Sequence, residues 1–142
     1  MLSVVEKVIF LQGIDIFKDI PTRELAYLAS IAQQVQVDAR DVLYREGEIS
    51  NGMYLVIEGD VLLTRDGTDV MTAGPRDAFG TWSLLDDEKR VVTATATQPT
   101  EVLWIDKAEF LDLLADHVQI TQGIFKTITK RMRALMEIAN RR

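Results

Sequence analysis

The chain has 142 residues, of which 47% are hydrophobic, and a formal net charge of −6. This length predicts one domain with a single apolar core. No apolar run approaches the roughly 18 residues that a transmembrane helix requires, and the N-terminal residues lack the pattern of a signal peptide. The chain has no cysteine, which excludes disulfides, thiolate metal ligands and a cysteine nucleophile. We therefore expect a cytoplasmic protein that does not associate with membranes.

The charges are distributed unevenly along the chain. Residues 1–117 contain 10 basic and 21 acidic residues, whereas residues 118–142 contain 6 basic residues and one acidic residue, Glu137. The acidic body argues against direct DNA binding. The basic C-terminal segment has three interpretations that the sequence leaves open: it packs against the acidic body, it docks an acidic partner, or it is the solvated face of a helix.

Two helices are predicted at the N-terminal end. Apolar positions in residues 2–11 follow a helical period, and Gly13 ends that helix. Thr22 is a good N-cap for the second helix, with Pro21 just outside it as the alternative. The second helix is expected to be about ten residues long, and its buried stripe comprises Leu25, Leu28, Ala29 and Ala32.

From Gln33 the apolar period changes to two, which predicts β-strands. Turn residues separate seven or eight short strands up to residue 106, and Asp66-Gly67 is expected to form a hairpin turn with positive φ angles. This spacing is typical of an antiparallel sandwich or jelly roll. A jelly-roll enzyme with a metal would need two or three histidines, but the chain has only His117, so we expect no enzyme activity, no catalytic residue, no metal and no cofactor.

Residues 78–94, which we call the central segment, hold the most informative pattern. A strand ends in Phe79-Gly80, a helical turn spans residues 81–85, and Arg90 precedes a predicted strand over residues 91–97. A glycine before a helical turn lets backbone N–H groups converge, and the helix dipole favours an anion there. Arg90 could bind the same phosphate through two parallel hydrogen bonds. The alternative is a surface turn in which Arg90 pairs with Asp86 or Glu88.

Two further helices are predicted after the strands. Asp106 is expected to cap a helix over residues 107–116, with Phe110, Leu111 and Leu114 facing inward. A longer helix over residues 118–140 has apolar residues at three- and four-residue spacing, at positions 118, 125, 128, 132, 135 and 139. This stripe predicts either a coiled-coil homodimer or a helix that lies on the β-domain of its own chain.

The order of elements and several motifs resemble the cyclic nucleotide-binding domain family. Residues 45–61, REGEISNGMYLVIEGDV, are similar to the family's pattern of glycines and apolar strand residues, and Phe79-Gly80, Ser83-Leu84-Leu85 and Arg90 match its phosphate-binding cassette. The resemblance covers nearly all of residues 10–140. It implies one domain over residues 1–142 with an α+β, mainly β fold: N-terminal helices in 1–32, an antiparallel β-roll (double-stranded jelly roll) in 33–106, and two C-terminal helices in 107–142, the last one long.

The resemblance also implies a regulatory sensor for cyclic AMP, cyclic GMP or another phosphate-bearing small molecule. The ligand-binding residues that it implies are Phe79, Gly80, Thr81, Trp82, Ser83, Arg90 and Val91. In the family, ligand binding repositions the helices that follow the β-roll, and Met132 or Leu135 of the long helix would then cover the base. A ligand-free dimerisation module on the same fold is the alternative function.

Four positions depart from the family's cassette. Thr81 stands where the family usually has a glutamate that binds the ribose 2′-hydroxyl, and Lys89 stands where it usually has proline. Val91 replaces a small or hydroxylated residue and would crowd a phosphate if it faced the pocket. Trp82 replaces an aliphatic residue and is expected to fill part of the pocket or insert into the core. These departures predict a phosphate site with weakened selectivity for cyclic nucleotides.

Overall fold

The computed structural model describes residues 1–141, so that Arg142, the last residue of our predicted helical segment 107–142, lies outside the described residues. The four helices are α1 (Val4–Gln12), α2 (Thr22–Ile31), α3 (Lys107–Asp116) and α4 (Val118–Asn140). The eight strands are β1 (Ala32–Val37), β2 (Val42–Tyr44), β3 (Gly52–Glu58), β4 (Val61–Arg65), β5 (Thr68–Ala73), β6 (Ala78–Phe79), β7 (Thr93–Ala96) and β8 (Thr100–Asp106). Two 3₁₀ turns span Asp15–Phe17 and Thr81–Leu84.

The strands form two four-stranded antiparallel sheets, one in the order β1-β8-β3-β6 and the other in the order β2-β7-β4-β5. Each sheet contains strands from both halves of the β segment, as expected for a jelly roll. The predicted antiparallel β-roll with a long final helix is therefore confirmed. The hairpin between β4 and β5 turns at Asp66 (φ 51°) and Gly67 (φ 77°), the two positive φ angles that the Asp-Gly pair predicts.

The N-terminal helices begin differently from one another. Ser3 caps α1 by accepting the Glu6 N–H at 3.1 Å, and the Glu6 carboxylate accepts the Ser3 N–H in return. We predicted that Thr22 is the N-cap of α2, but in the structure it is the first residue of the helix. Pro21 occupies the N-cap position and offers no side-chain hydrogen bond, because its ring has no acceptor.

Two apolar clusters stabilise the domain. The larger one lies between the helices and the β1-β8-β3-β6 sheet and includes Phe17, Leu28 and Phe110, each fully buried. The smaller one lies between the two sheets and includes Val56 and Val102. Tyr44 and Phe79 belong to this second cluster, so the strand that leads into the central segment is fixed by the interior of the roll.

Helix α3 is capped as predicted, since the Asp106 carboxylate accepts the Glu109 N–H at 3.0 Å. Phe110 is buried, but Leu111 is 45% exposed, so our prediction that Leu111 faces inward is wrong. Leu114 packs on the core as predicted, and Leu113 does so in place of Leu111. Residues three and four positions after Phe110 share its face of the helix, whereas the next residue is rotated by a quarter turn or more.

Helix α4 has buried residues only in its N-terminal half. Its buried residues are Ile120, Gly123, Ile124 and Thr127. All residues from 132 to 140 are exposed. Most of the predicted apolar stripe is therefore not packed, since Phe125, Met132 and Leu135 are 65%, 58% and 66% exposed. Ile128 is the member of the stripe that packs against the larger cluster. None of the described helices is both long enough and apolar enough to cross a membrane.

Asp19 fastens α4 to the N-terminal segment. Its carboxylate accepts hydrogen bonds from Thr127 Oγ1 at 2.7 Å and from Lys130 Nζ at 2.9 Å. These hydrogen bonds, the one from Lys130 above all, hold the pKa of Asp19 below its ordinary value of 3.8. At least one cation of the basic C-terminal segment thus packs against the acidic body, as one of our three interpretations proposed.

Asp19→Asn should lower the free energy of unfolding at neutral pH, because the amide cannot form the same charged hydrogen bonds. Since the Asp19 pKa is depressed on folding, its contribution is complete above the ordinary pKa and disappears as the pH falls through the folded value. We expect the difference between wild type and variant, measured by urea unfolding, to shrink between neutral pH and about pH 3. Asp112→Asn, at an exposed carboxylate on α3, is the control. A difference that does not depend on pH would contradict this assignment.

Candidate functional site

The central segment forms the predicted strand, glycine and helical turn, but the strand after Arg90 begins later than predicted. Strand β6 ends at Phe79, Gly80 adopts a left-handed conformation (φ 71°), and the 3₁₀ turn follows immediately. We predicted that residues 91 and 92 belong to a strand, but β7 begins only at Thr93. Arg90 exchanges backbone hydrogen bonds with residues 47 and 48, at 2.8 and 2.9 Å, and the chain bends after it to reach β7.

The Arg90 side chain points inward beneath the 3₁₀ turn. It is 5% exposed, and its Nη1 donates to Ser83 Oγ at 2.9 Å. Its Nη2 donates to the Gly52 carbonyl at 2.6 Å and to Asn51 Oδ1 at 3.5 Å. The guanidinium also lies 3.9 Å from the centre of the Tyr44 ring, a distance at which the ring stabilises a cation.

Arg90 has no carboxylate within ion-pair distance in the part of the chain that the structure describes. The alternative in which it pairs with Asp86 or Glu88 is therefore wrong. Lys107 binds this acidic loop instead, through the Asp86 carbonyl and the Asp87 carboxylate. Burial lowers the pKa of Arg90 because the charged form loses hydration, and its Nε is buried with no hydrogen-bond partner in the described residues.

Gly80 leaves space for this arginine. A Cβ on residue 80 would lie 2.5 Å from Arg90 Nη1, well inside van der Waals contact. Its φ of 71° also disfavours any residue with a side chain. The conformation of Gly80 and the position of the guanidinium therefore depend on each other.

A cavity of about 480 Å³ opens above Arg90. This volume is within the range of small-molecule sites. The lining residues are Tyr44, Leu63, Met71, Ala78, Phe79, Gly80, Thr81, Trp82, Ser83, Asp86, Glu88, Lys89, Arg90, Val91 and Val92. All seven residues that the sequence predicted as ligand-binding lie around this one cavity, although no bound ligand tests that role.

The seven residues differ in how they face the cavity. Phe79 and Arg90 are buried at its base, whereas Trp82 and Val91 are 54% and 63% exposed at its rim. Trp82 thus does not insert into the core, contrary to one of our two expectations for it. The Ser83 N–H donates to the Gly80 carbonyl at 3.2 Å, so this amide is already used within the turn and is not free for an anion.

Sequence reasoning missed the far wall of the cavity. Tyr44, Leu63 and Met71 come from β2, β4 and β5, three strands of one sheet. In the sequence each appears as an ordinary apolar strand residue. Only the pairing of the sheet places them opposite the central segment, so no local pattern could have identified them.

Helix α4 does not contribute to the cavity wall. The lining includes no residue of α4, and both Met132 and Leu135 are exposed. The predicted lid over the base is therefore not formed in this structure.

A comparison with protein families matches residues 34–117 to the cyclic nucleotide-binding domain. The chain belongs to the cyclic nucleotide-binding domain family. Lysophospholipase nte1 of Aspergillus oryzae is 31% identical over 121 residues, which are 82% of this chain. The CRP-like cAMP-activated global transcriptional regulator of Mycobacterium tuberculosis is 25% identical over 123 residues, or 83% of this chain.

A solved structure supports the same fold. The N-terminal domain of a transcriptional regulator from Streptomyces coelicolor aligns with a TM-score of 0.81 at 24% identity, over 89% of this chain and 94% of that one. The chain spans only 8% of the Aspergillus lysophospholipase and 55% of the Mycobacterium regulator. What this domain shares with these two relatives is therefore a regulatory module rather than the whole protein.

Gly80→Ala should destabilise the domain more than Gly67→Ala. Both positions have φ near 75°, with 71° at Gly80 and 77° at Gly67, but a Cβ at residue 67 meets nothing within 4 Å. The backbone cost, about 1–2 kcal/mol, should be common to both variants. The additional loss in Gly80→Ala, measured by thermal unfolding, would report displacement of Arg90. Equal losses would show that the arginine adapts without cost.

Proposed function

We propose that this domain is a regulatory sensor in which the cavity above Arg90 binds the phosphate of a cyclic nucleotide or of another small phosphate-bearing molecule. The observation that carries this proposal is the buried guanidinium of Arg90, which lies at the base of the cavity with no acidic partner among residues 1–141. A buried charge without a counter-charge is costly, and an anion in the cavity would offset that cost.

A bound phosphate would replace the contacts that Arg90 makes with neutral groups. Its Nη1 and Nη2 are held by the Ser83 hydroxyl and the Gly52 carbonyl, at 2.9 and 2.6 Å. These neutral acceptors orient the guanidinium without neutralising it. An oxyanion forms stronger hydrogen bonds with a guanidinium than a neutral oxygen does, so the exchange favours binding.

Thr81 weakens recognition of the ribose. It lines the cavity at the position where the resemblance implies a glutamate, and its side chain is neutral and shorter. A hydrogen bond to a charged group contributes roughly 1.5–3 kcal/mol, so its loss lowers affinity about 10- to 150-fold. The apolar wall of Leu63, Met71 and Tyr44 offers a surface for a base, which does not depend on Thr81.

Signalling would proceed through the helices that follow the β-roll. Contraction of the central segment around a phosphate would change its packing against α3 and hence the position of α4. A ligand shifts this equilibrium only by the difference between its affinities for the two arrangements. In the relatives the equivalent module belongs to longer proteins, and we propose that this domain likewise regulates a partner domain or protein.

Calorimetry with cyclic AMP and cyclic GMP tests the proposal. We expect binding that Arg90→Ala weakens at least about 100-fold, because two charged hydrogen bonds are lost. Arg65→Ala, which removes the same charge at an exposed position outside the cavity lining, should bind like wild type. Thr81→Glu should strengthen cyclic AMP binding about 10- to 150-fold by restoring a carboxylate for the ribose. If neither nucleotide binds below about millimolar even with Thr81→Glu, the sensor proposal fails.

A second candidate function, homodimerisation through α4, is supported by its uncovered apolar stripe. Val118, Phe125, Met132 and Leu135 are each more than half exposed. Val118, Phe125 and Met132 are seven residues apart and Leu135 follows Met132 by three, which is the heptad spacing of a coiled coil and favours a second copy of the same helix as the partner.

Leu135→Glu should shift the protein from dimer to monomer in light scattering, since a charge in an apolar seam is left without hydration. Ala134→Glu adds the same charge at an exposed position of α4 outside the stripe and should remain dimeric. A wild-type particle of 16.0 kDa at high concentration would reject the dimer.

A further inference from the structure

Trp82 forms part of the wall between two cavities. Together with Ala78 and Thr81 it lines the candidate ligand cavity on one side. The same three residues line a second cavity of about 250 Å³ on the other side, toward the N-terminal segment and α4. If ligand binding moved Trp82, the wall of this second cavity would therefore move with it.

Arg131 of α4 reaches into the second cavity and touches both of its sides. Its guanidinium carbon lies 5.8 Å from the centre of the Trp82 ring, within the distance of a cation–π interaction. Its Nη2 forms an ion pair with Asp15, the first residue of the 3₁₀ turn Asp15–Phe17. That turn is anchored in the core by Phe17, which is fully buried.

Arg131 lies at the point along α4 where contact with the body ends. Arg131 is 35% exposed through its side chain, while every later residue of the helix up to 140 is exposed. It is thus the last residue at which α4 is held to the body. The C-terminal part of the helix, which carries Met132 and Leu135, has no other fastening among the described residues.

We propose that Asp15, Arg131 and Trp82 form a latch that couples the position of the central segment to the orientation of the C-terminal part of α4. With the latch closed, this part of α4 stays away from the ligand cavity. When the 3₁₀ turn that contains Trp82 moves, Arg131 loses its aromatic contact and the helix end is released. The effect of the latch on ligand affinity rests on the proposed function, whereas the mechanical coupling itself does not.

Both contacts of the latch are weak ones. A cation–π contact and an ion pair at partly exposed side chains each change an equilibrium by a few-fold. A ligand therefore needs only a modest preference for the released arrangement to open the latch. We expect each single substitution in the latch to raise the opening of α4 by about 3- to 10-fold.

Hydrogen exchange of the amides of residues 128–140, in the full chain without ligand, tests the coupling. Trp82→Leu and Arg131→Gln should each accelerate exchange by about 3- to 10-fold. The double variant should exchange no faster than the faster single variant, since both substitutions break the same contact. Both side chains are partly exposed, so neither substitution removes a core residue.

Lys130→Gln is the matched control on the same helix. It breaks the neighbouring ion pair with Asp19, which does not involve Trp82. Its effect on exchange should multiply with that of Trp82→Leu. The latch is rejected if Trp82→Leu leaves exchange unchanged, or if its effect multiplies with that of Arg131→Gln.

Titration with cyclic AMP separates this proposal from the proposed function. If wild type binds, Arg131→Gln should bind about 3- to 10-fold more tightly, because the closed latch no longer opposes the bound arrangement. An unchanged dissociation constant would overturn the link between latch and ligand. If neither wild type nor Thr81→Glu binds a cyclic nucleotide, the proposed function fails, and the exchange experiment still decides whether the latch exists.

Discussion

The candidate site depends on the burial of one guanidinium. Arg90 lies beneath the 3₁₀ turn because Gly80 leaves room for it, and because Ser83, Gly52 and Tyr44 supply a hydroxyl, a carbonyl and an aromatic face. These neutral groups orient the cation but leave its charge uncompensated. The arrangement is therefore costly without an anion and favourable with one. That imbalance, more than the size of the cavity, is the basis of our proposal that the cavity binds a phosphate.

The acidic loop beside the site forms no ion pair with this cation among residues 1–141. Asp87 is bound by Lys107 of α3, although it follows the 3₁₀ turn closely in the sequence. This contact joins the loop to the helix that leads into α4. The same interaction therefore links the loop beside the site to the C-terminal helices. The charge of Arg90 would favour any phosphate. In our proposal, selectivity for a ribose is weaker, because the neutral Thr81 offers it no charged acceptor.

Helix α4 shows how one amphipathic element can use two faces. Gly123 permits close contact with Ile20, since a Cβ there would lie 2.8 Å from the Ile20 side chain. This tight packing and the bonds to Asp19 fix the first half of the helix. The second half is long, apolar on one side and uncovered. A helix that is rigid at one end and free at the other can transmit a small displacement of the body over a larger distance.

The sequence alone determined the β-roll, the order of helices and strands, the Asp66-Gly67 turn and the identity of the central segment, because each is encoded by local periodicity or by turn residues. Gly80 and Arg90 were identified through the resemblance to the family's phosphate-binding cassette, because the residues alone also allowed a surface turn. Only the tertiary structure decided that Arg90 avoids Asp86 and Glu88, that β2, β4 and β5 complete the cavity, and that α4 packs mainly through a face other than its apolar stripe. These features depend on which surfaces meet across long stretches of sequence, and such meetings are set by the packing of the whole core rather than by any local pattern.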